Sequence, residues 1–383
     1  MANFIVTSIE VNDVSQPSLI PSIKDIVYVD ESEESASTLD VNLILPETLE
    51  LPVTVNVFDK INITITYQGN TLLLENFYVD RDITKVKNNV EFIGSQAYNY
   101  GIGVNQAGVG DNADENNVNI GGATGNPSGR FTLDAMINLL CEPFNLDRSP
   151  GIGTHWAGTA FSRFNPPGID APTYLAGFQL LEKMYGYFLN FVSSSDPTKE
   201  GLCVFLKQNV IESSTPILSI DRGEISREFT YQTDLSRSAK TFVILRKNGN
   251  DLWVVEATDY RVPSNNTRRV DIRNENGQED LPAALARLEG LVAEYNQKTI
   301  TVEFGIIGNP LLRVNNVITL TGFNATINGN YVIKTCRHHF SNSGYICDVT
   351  CYKSVPYTIT TESAGTGDIR YTDQTFNDWK NDQ

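Results

Sequence analysis

The sequence predicts a mainly β protein with α-helical insertions. Apolar and polar residues alternate over residues 61–67, and short apolar runs return after residue 200. An alternation with a period of two is typical of strands that bury one face. Apolar residues at helical spacing are confined to a few stretches between these strands. With 383 residues, 40% of them hydrophobic, the chain has room for two or three domains of roughly 100–200 residues each.

The chain is strongly acidic. It carries 46 acidic and 29 basic side chains, which gives a formal net charge of −17. Such a surface repels phosphate backbones, so we expect no stable binding of nucleic acid. The N-terminal residues lack a signal peptide's basic and apolar segments, and no window approaches the ~18 apolar residues of a membrane span. The five cysteines are odd in number and sparse, which argues against a disulfide framework and favours assembly in a reducing compartment.

Residues 1–98 form the first predicted β domain. The alternating residues 61–67 lead into a Gln-Gly-Asn turn, and residues 71–79 return as the partner strand. Valines at every second position of residues 53–57 predict another strand, and the acidic residues 30–34 predict an exposed loop. Several strands without helical periodicity between them favour a small barrel or sandwich.

The middle of the chain interrupts the β pattern. Residues 99–129 are rich in Gly, Asn and Asp, which predicts a long loop; the Gly-x-Gly pairs there lack the lysine and the spacing of a nucleotide-binding motif. Residues 130–225 form a predicted helix-containing insert. Thr132 is a suitable N-cap for apolar residues at helical spacing up to Cys141, and a second apolar stripe covers residues 175–184.

Residues 226–355 form the second predicted β domain. Apolar runs at 241–245 and 252–256 flank a Lys-Asn-Gly-Asn hairpin turn. A helix is predicted over 281–297, with an aspartate cap, a proline in its first turn and one apolar stripe. Residues 356–383 form a predicted acidic C-terminal tail.

The tail allows two interpretations. It is polar and short of aliphatic residues, as expected of a frayed terminus. It also keeps three aromatic residues, Tyr371, Phe376 and Trp379, which are candidate anchors for docking onto a neighbouring subunit.

Motifs of catalysis are scarce. The chain has three histidines and neither a Gly-x-Ser-x-Gly elbow nor a His-Glu-x-x-His pair. Pairs of carboxylates arise by chance among 46 acidic residues, so they do not indicate a glycosidase. We therefore expect no enzymatic activity, no catalytic residues and no cofactor.

One set of residues has the chemistry of a metal site: Cys336, His338, Cys347 and Cys351. If residues 331–340 and 345–352 pair as a hairpin with Phe340 opposite Tyr345, His338 lies opposite Cys347 and all four candidates point to one face. Zinc accepts such ligands. The spacing differs from paired Cys-x-x-Cys zinc modules, however, and Cys351 lies roughly 13 Å along the strand from Cys347. The sequence thus favours small buried thiols in a barrel wall, with no metal.

Residues 299–353 carry a resemblance to a known family. A Gly-x-Pro-like Gly308-Asn309-Pro310 segment precedes a short strand, a Gly-x-Tyr-x-Val segment contains Gly329 and Tyr331, and His338 and Gly344 follow. This order resembles the C-terminal barrel of contractile-tail baseplate hub proteins, namely the late-control D family, the T-even hub and the base of type VI spike proteins. In place of the family's Pro-Gly before the last strands, this chain has residues 313–316, Arg-Val-Asn-Asn.

The resemblance implies a fold and a function. It implies two tail-tube-like β-barrels with a small helical insert, and a homotrimer whose six barrels form a pseudo-hexameric ring. Such a ring joins a six-fold tail tube to a three-fold spike, contacts other baseplate proteins, and lets DNA or an effector pass. The implied location is the virion's tail baseplate, assembled in the host cytoplasm, without direct membrane insertion.

Two alternatives remain. One is a virion-surface or secreted β protein that binds or hydrolyses carbohydrate through a pocket lined by Trp156, Trp253 or Trp379. The other is a domain that zinc stabilises through the four Cys and His residues named above.

Overall fold

The computed structural model describes most of the predicted β regions and parts of the rest. The described residues are 4–31, 37–46, 55–87, 90–99, 131–132, 137–138, 141–148, 156–157, 178, 187–192, 195–196, 198–234, 239–248, 251–259, 265, 269–274, 288, 290, 292, 299–353 and 359–364. None of the helices within these ranges combines the length and the apolar character that crossing a bilayer requires.

Among the described residues, seven strands form the N-terminal β region. They are β1 (Ile5–Val11), β2 (Val14–Ser15), β3 (Ile23–Glu31), β4 (Thr38–Pro46), β5 (Lys60–Tyr67), β6 (Asn70–Lys87) and β7 (Val90–Asn99), with a 3-10 helix at Pro17–Ser22. Strand β5 buries every second residue, as its alternation predicts. Tyr67 pairs with Asn70, which confirms the predicted turn between β5 and β6.

The middle of the chain has short described elements. They are β8 (Phe131–Thr132), a 3-10 helix at Glu142–Phe144, β9 (Leu146–Arg148), β10 (Trp156–Ala157), β11 (Tyr187–Val192), β12 (Gly201–Lys207) and α1 (Gln208–Glu212). Ile137, Cys141 and Phe178 are helical and buried, in agreement with the two predicted helices. The predicted loop at 99–129 lies outside the described residues, apart from Asn99 at the end of β7.

The C-terminal β region contains β13 (Leu218–Asp221), a 3-10 helix at Arg222–Glu224, β14 (Ile225–Thr233), β15 (Thr241–Asn248), β16 (Asp251–Asp259), β17 (Arg269–Asn274), β18 (Ile300–Ile307), β19 (Val317–Thr321), β20 (Gly329–Ser341), β21 (Gly344–Lys353) and β22 (Ile359–Ala364). Asn248 pairs with Asp251, which confirms the predicted hairpin. Residues 288, 290 and 292 are helical, and the rest of the predicted helix over 281–297 lies outside the described residues.

One sheet of 13 strands joins the two β regions. Its main path is β14-β18-β21-β20-β3-β4-β7-β6-β5-β1-β2, and β19 links β13 to β20. The connection between the regions is antiparallel pairing of β3 with β20, from Glu31 opposite Thr335 to Asp25 opposite Ser341. A separate four-stranded sheet has the order β17-β15-β16-β22.

The two β regions also share a core. Tyr67 of β5 meets Tyr345 of β21 edge-on, with ring centroids 5.0 Å apart. Phe340 of β20 stacks on Tyr345 at 4.1 Å, and Phe4 contacts Phe340 at 5.3 Å. Aromatic side chains bury large apolar areas, so these contacts hold both regions in one hydrophobic cluster.

Three details differ from the sequence predictions. Asp30 belongs to β3 and is 1% exposed, so the predicted acidic loop does not include it. Val55 and Val57 lie outside strands. Residues 359–364, in the predicted tail, form β22 and pair with β16. The mainly β fold class with small helical content is confirmed, whereas the domain limits stay predictions.

Candidate functional site

A buried polar cluster lies where β3 and β20 join the two β regions. Tyr28 of β3 pairs with His338 of β20, and Asp30 pairs with Cys336. These residues point inward because β3 and β20 alternate between the core and the outer face. The cluster therefore combines side chains from both ends of the chain.

The hairpin of β20 and β21 has the predicted register. Phe340 pairs with Tyr345, His338 with Cys347, and Cys336 with Val349. Gly344 at the turn has a φ of +127°, a value that glycine adopts without strain. The alternation of the two strands and the short Ser-Asn-Ser-Gly turn are sufficient to determine this register.

Three of the four candidate metal ligands lie together. The ligand atoms of Cys336, His338 and Cys347 are all within 4.8 Å of one another, and each residue is 0% exposed. His338 Nδ1 is 3.4 Å from Cys347 Sγ and 2.7 Å from the hydroxyl of Tyr345. Cys351, the fourth candidate, is also 0% exposed but is not part of this cluster. All five cysteines lie within the described residues, where they are buried and form no disulfide.

The two clustered thiols differ electrostatically. Burial opposes ionisation of Cys347, but hydrogen bonds from Cys336, His338 and the backbone N–H of Asn309 hold the pKa of its thiol well below the usual range. Burial, together with the neighbouring Cys347, raises the pKa of the Cys336 thiol. The surroundings therefore favour the thiolate at Cys347 and the thiol at Cys336.

An ion pair borders the cluster. Arg313 Nε donates to Asp30 Oδ2 at 2.7 Å, and the Val314 N–H donates to the same oxygen at 3.2 Å. Ser37 Oγ donates to the other Asp30 oxygen at 3.2 Å, and Arg313 Nη2 donates to the Tyr28 hydroxyl at 2.9 Å. The Arg313 guanidinium also lies 5.2 Å from the centre of the Tyr28 ring. The network ties the loop before β19 to β3.

Burial and charge oppose one another at Asp30. Burial disfavours the carboxylate, but the charge of Arg313 and the hydrogen bonds from Tyr28 and Arg313 outweigh it, so the pKa of Asp30 lies below its usual range. The Asp30–Arg313 pair is not among the predicted site residues. The signal in the sequence is the period-two pattern that places Asp30 in line with Ile26 and Tyr28 on the inner face of β3.

The residues of the family resemblance have structural roles in the described region. They are Asn309, Pro310, Gly329, Tyr331, His338 and Gly344. Asn309 starts the turn before β19, since its side chain accepts from the Leu311 N–H at 3.0 Å, and Pro310 is buried. Gly329 has a φ of +142°, and the buried Tyr331 donates from its hydroxyl to the Ile327 carbonyl at 2.6 Å.

Other predicted sites are not assembled by the described residues. The candidate docking anchors Tyr371, Phe376 and Trp379 lie outside them. Trp156 belongs to β10 of a two-stranded sheet, and Trp253 belongs to β16 of the four-stranded sheet.

Comparisons with known proteins agree on the fold. No protein-family model matches the chain, and no curated protein does. Among solved structures, the fold matches tail proteins of phages and prophages and a component of a type VI secretion system. The baseplate-hub-like fold that the resemblance of residues 299–353 predicts is confirmed.

Three structures illustrate the similarity. The 43 kDa tail protein of prophage MuSo2 from Shewanella oneidensis has a TM-score of 0.59 and 14% identity, with 92% of this chain and 97% of that chain covered. A tail protein from Neisseria meningitidis has a TM-score of 0.59 and 11% identity at the same coverage. An E. coli type VI secretion component similar to the T4 tail proteins gp27 and gp5 has a TM-score of 0.52 and 9% identity, with 92% and 76% covered.

Proposed function

We propose that the protein is a structural baseplate hub subunit of a contractile phage tail or a phage-like injection system. In this role it forms a homotrimer whose six β-barrels make a pseudo-hexameric ring between the six-fold tube and the three-fold spike. The ring contacts other baseplate proteins in the virion's tail baseplate and performs no catalysis. The observation that carries the proposal is the match to whole tail proteins, since 92% of this chain aligns with 97% of the Shewanella protein.

Open edges of the large sheet support assembly with other subunits. Among the described strands, β14 pairs only with β18, and β1 pairs with β2 only at Glu10 and Val11. An unpaired edge presents N–H and C=O groups that a neighbouring chain can bind. When an edge of one copy meets a different edge of the next, the contact is head-to-tail and closes into a ring if the rotation allows.

Apolar side chains surround the β1–β2 edge. Val14 is 59% exposed and Phe58 is 67% exposed. The Asn12 backbone N–H donates to the Lys60 carbonyl at 2.8 Å, and its side chain donates to Asp59 at 2.8 Å, so the β1–β2 turn contacts the segment that follows Phe58. The Phe58 N–H donates to the Val79 carbonyl of β6 at 2.8 Å. Exposed aromatic residues near a sheet edge are typical anchors of subunit interfaces. We assign this edge to a subunit contact of the ring.

The acidic composition fits a channel. With a net charge of −17, a ring of this protein repels the phosphate backbone of DNA. DNA or an acidic effector then passes without adsorbing to the wall.

Light scattering on the purified full chain tests the oligomer, and electron microscopy tests the ring. We expect a mass of three chains, together with top views that show three-fold symmetry and a central hole. A monomer at all concentrations, without association with tube or spike subunits, would refute the proposal.

A variant at Phe58 tests the edge contact. Phe58 has a φ of +75°, a conformation that Asn adopts more readily, so Phe58→Asn removes the apolar ring without straining the fold. We expect weaker trimers and an unchanged monomer fold by circular dichroism. Leu73→Asn is the matched control, because Leu73 is 51% exposed on the face of β6 rather than at the edge. Equal effects of both variants would argue against the edge as the contact.

A further inference from the structure

We propose that Cys336, His338 and Cys347 bind one zinc ion in the core of the C-terminal β region. The proposal is independent of the hub function. The sequence alone favoured a metal-free barrel wall, because Cys351 lies too far along the strand. The structure shows a different set, since three ligand atoms cluster within 4.8 Å without Cys351.

The distances in the cluster suit zinc. Zn–N bonds are about 2.0–2.1 Å and Zn–S bonds about 2.3 Å, so N and S atoms on one tetrahedral ion lie about 3.5 Å apart. His338 Nδ1 lies 3.4 Å from Cys347 Sγ, which agrees with this value. The cross-strand register produces the arrangement, because His338 is directly opposite Cys347 and Cys336 lies two residues before it on the same face.

The charges in the cluster also suit zinc. Two thiolates neutralise a divalent cation, so a bound zinc ion adds no net charge to the core. The Asp30–Arg313 pair beside it is separately neutral, with its own hydrogen bonds. The backbone N–H of Asn309 donates to Cys347 Sγ at 3.4 Å, and such a contact stabilises a thiolate ligand.

The Tyr345 hydroxyl is a neighbour of the three ligands rather than a fourth one. It lies 2.7 Å from His338 Nδ1, which is a hydrogen-bond distance and shorter than the ~3.3 Å between oxygen and nitrogen ligands of one tetrahedral zinc ion, so zinc at Nδ1 replaces this hydrogen bond. A zinc ion with three protein ligands keeps its fourth position for a small ligand such as water. Because the cluster is fully buried, we expect the ion to be bound during folding and to be retained afterwards.

Elemental analysis of the purified full chain tests the proposal. We expect about one zinc per chain after dialysis against a mild chelator. Cys347→Ser removes one thiolate, and zinc then falls several-fold or is lost. Cys351→Ser is the matched control, since Cys351 is on the same strand and equally buried but outside the cluster; we expect it to retain zinc. Wild-type protein that folds with no bound metal would overturn the proposal.

Cobalt keeps the test decisive if Cys347→Ser does not fold. Wild-type protein refolded with cobalt in place of zinc is expected to show a thiolate-to-cobalt charge-transfer band, and its absence in folded protein contradicts the site. Thiol titration of the denatured, metal-stripped chain shows whether Cys336 and Cys347 are reduced zinc ligands or are oxidised to a disulfide. We expect all five cysteines to react. If only three react, Cys336 and Cys347 form a disulfide, and the zinc assignment is overturned.

Discussion

Replacing Asp30 by Asn removes the negative charge at the joint between the two β regions. Asp30 is 1% exposed and accepts hydrogen bonds from Arg313 Nε, the Val314 N–H and Ser37 Oγ. Asn has nearly the same volume, so the change tests charge and hydrogen bonding rather than packing. The Asn side chain has one acceptor oxygen, whereas both Asp30 oxygens accept hydrogen bonds. The Asn amide NH₂ group therefore faces a donor at one of these two positions.

The magnitude follows from burial. Breaking a buried ion pair from one side costs about 3–5 kcal/mol, because the remaining charge is left without a partner. The Arg313 side chain is 31% exposed, so water solvates part of its charge after the change. We therefore expect Asp30→Asn to lower the free energy of unfolding by about 2–4 kcal/mol.

Urea unfolding, followed by circular dichroism at fixed protein concentration, measures the effect. Asp348→Asn is the control, because the Arg227–Asp348 pair has N–O distances of 3.1 and 3.2 Å but side chains that are 49% and 42% exposed. An exposed pair contributes about 0–1 kcal/mol. If Asp30→Asn lowers the free energy of unfolding no more than Asp348→Asn does, the buried pair does not stabilise the joint between the two β regions.

Two further predictions concern the same region. A Cβ at Gly308 would overlap the ring of Tyr345, so we expect Gly308→Ala to lower the free energy of unfolding in urea by about 1–3 kcal/mol. Gly223→Ala is the control, because the nearest atom to a Cβ at Gly223 is 3.4 Å away, and we expect it to change the stability little. Equal losses of stability in both variants would show that overlap with Tyr345 is not the cause. The pKa of Asp30 is lower in the folded chain than the unfolded value of about 3.9. The Asp30 carboxylate therefore contributes its full stabilisation above the unfolded pKa, and this stabilisation is lost as the pH falls through the folded pKa. The stability difference between wild type and Asp30→Asn should shrink below about pH 4, and a constant difference would show that charge is not its cause.

Local pairing was predictable from the sequence. The register of the β20–β21 hairpin follows from two alternating strands and a four-residue turn, and the structure has the same partners for His338 and Phe340. The β5–β6 turn was predictable for the same reason. In both cases the two strands are adjacent in the chain, so the turn leaves few alternative registers.

Distant pairing was not predictable. Alternation shows that β3 has a buried face but does not say which strand lies beside it, and its partner β20 is about 300 residues away. The burial of Asp30 was not predicted for the same reason. Its negative charge is compensated by Arg313, which is also distant in the sequence. Likewise, the polar residues of β22 lack the apolar alternation of a strand and are ordered by pairing with β16. The contact of the Asn309 N–H with Cys347 Sγ was not predictable either, because Asn309 lies outside the hairpin.

The pairing of β3 with β20 has a consequence for synthesis on the ribosome. Strand β3 leaves the ribosome about 300 residues before its partner strand β20. At about 5–20 residues per second, one side of β3 waits roughly 15–60 s for its partner. During this time a nascent chain exposes a strand edge that neighbouring chains on the same message can bind. A chaperone that shields the N-terminal β region during translation is therefore expected to raise the yield of correctly folded protein more than one added after release.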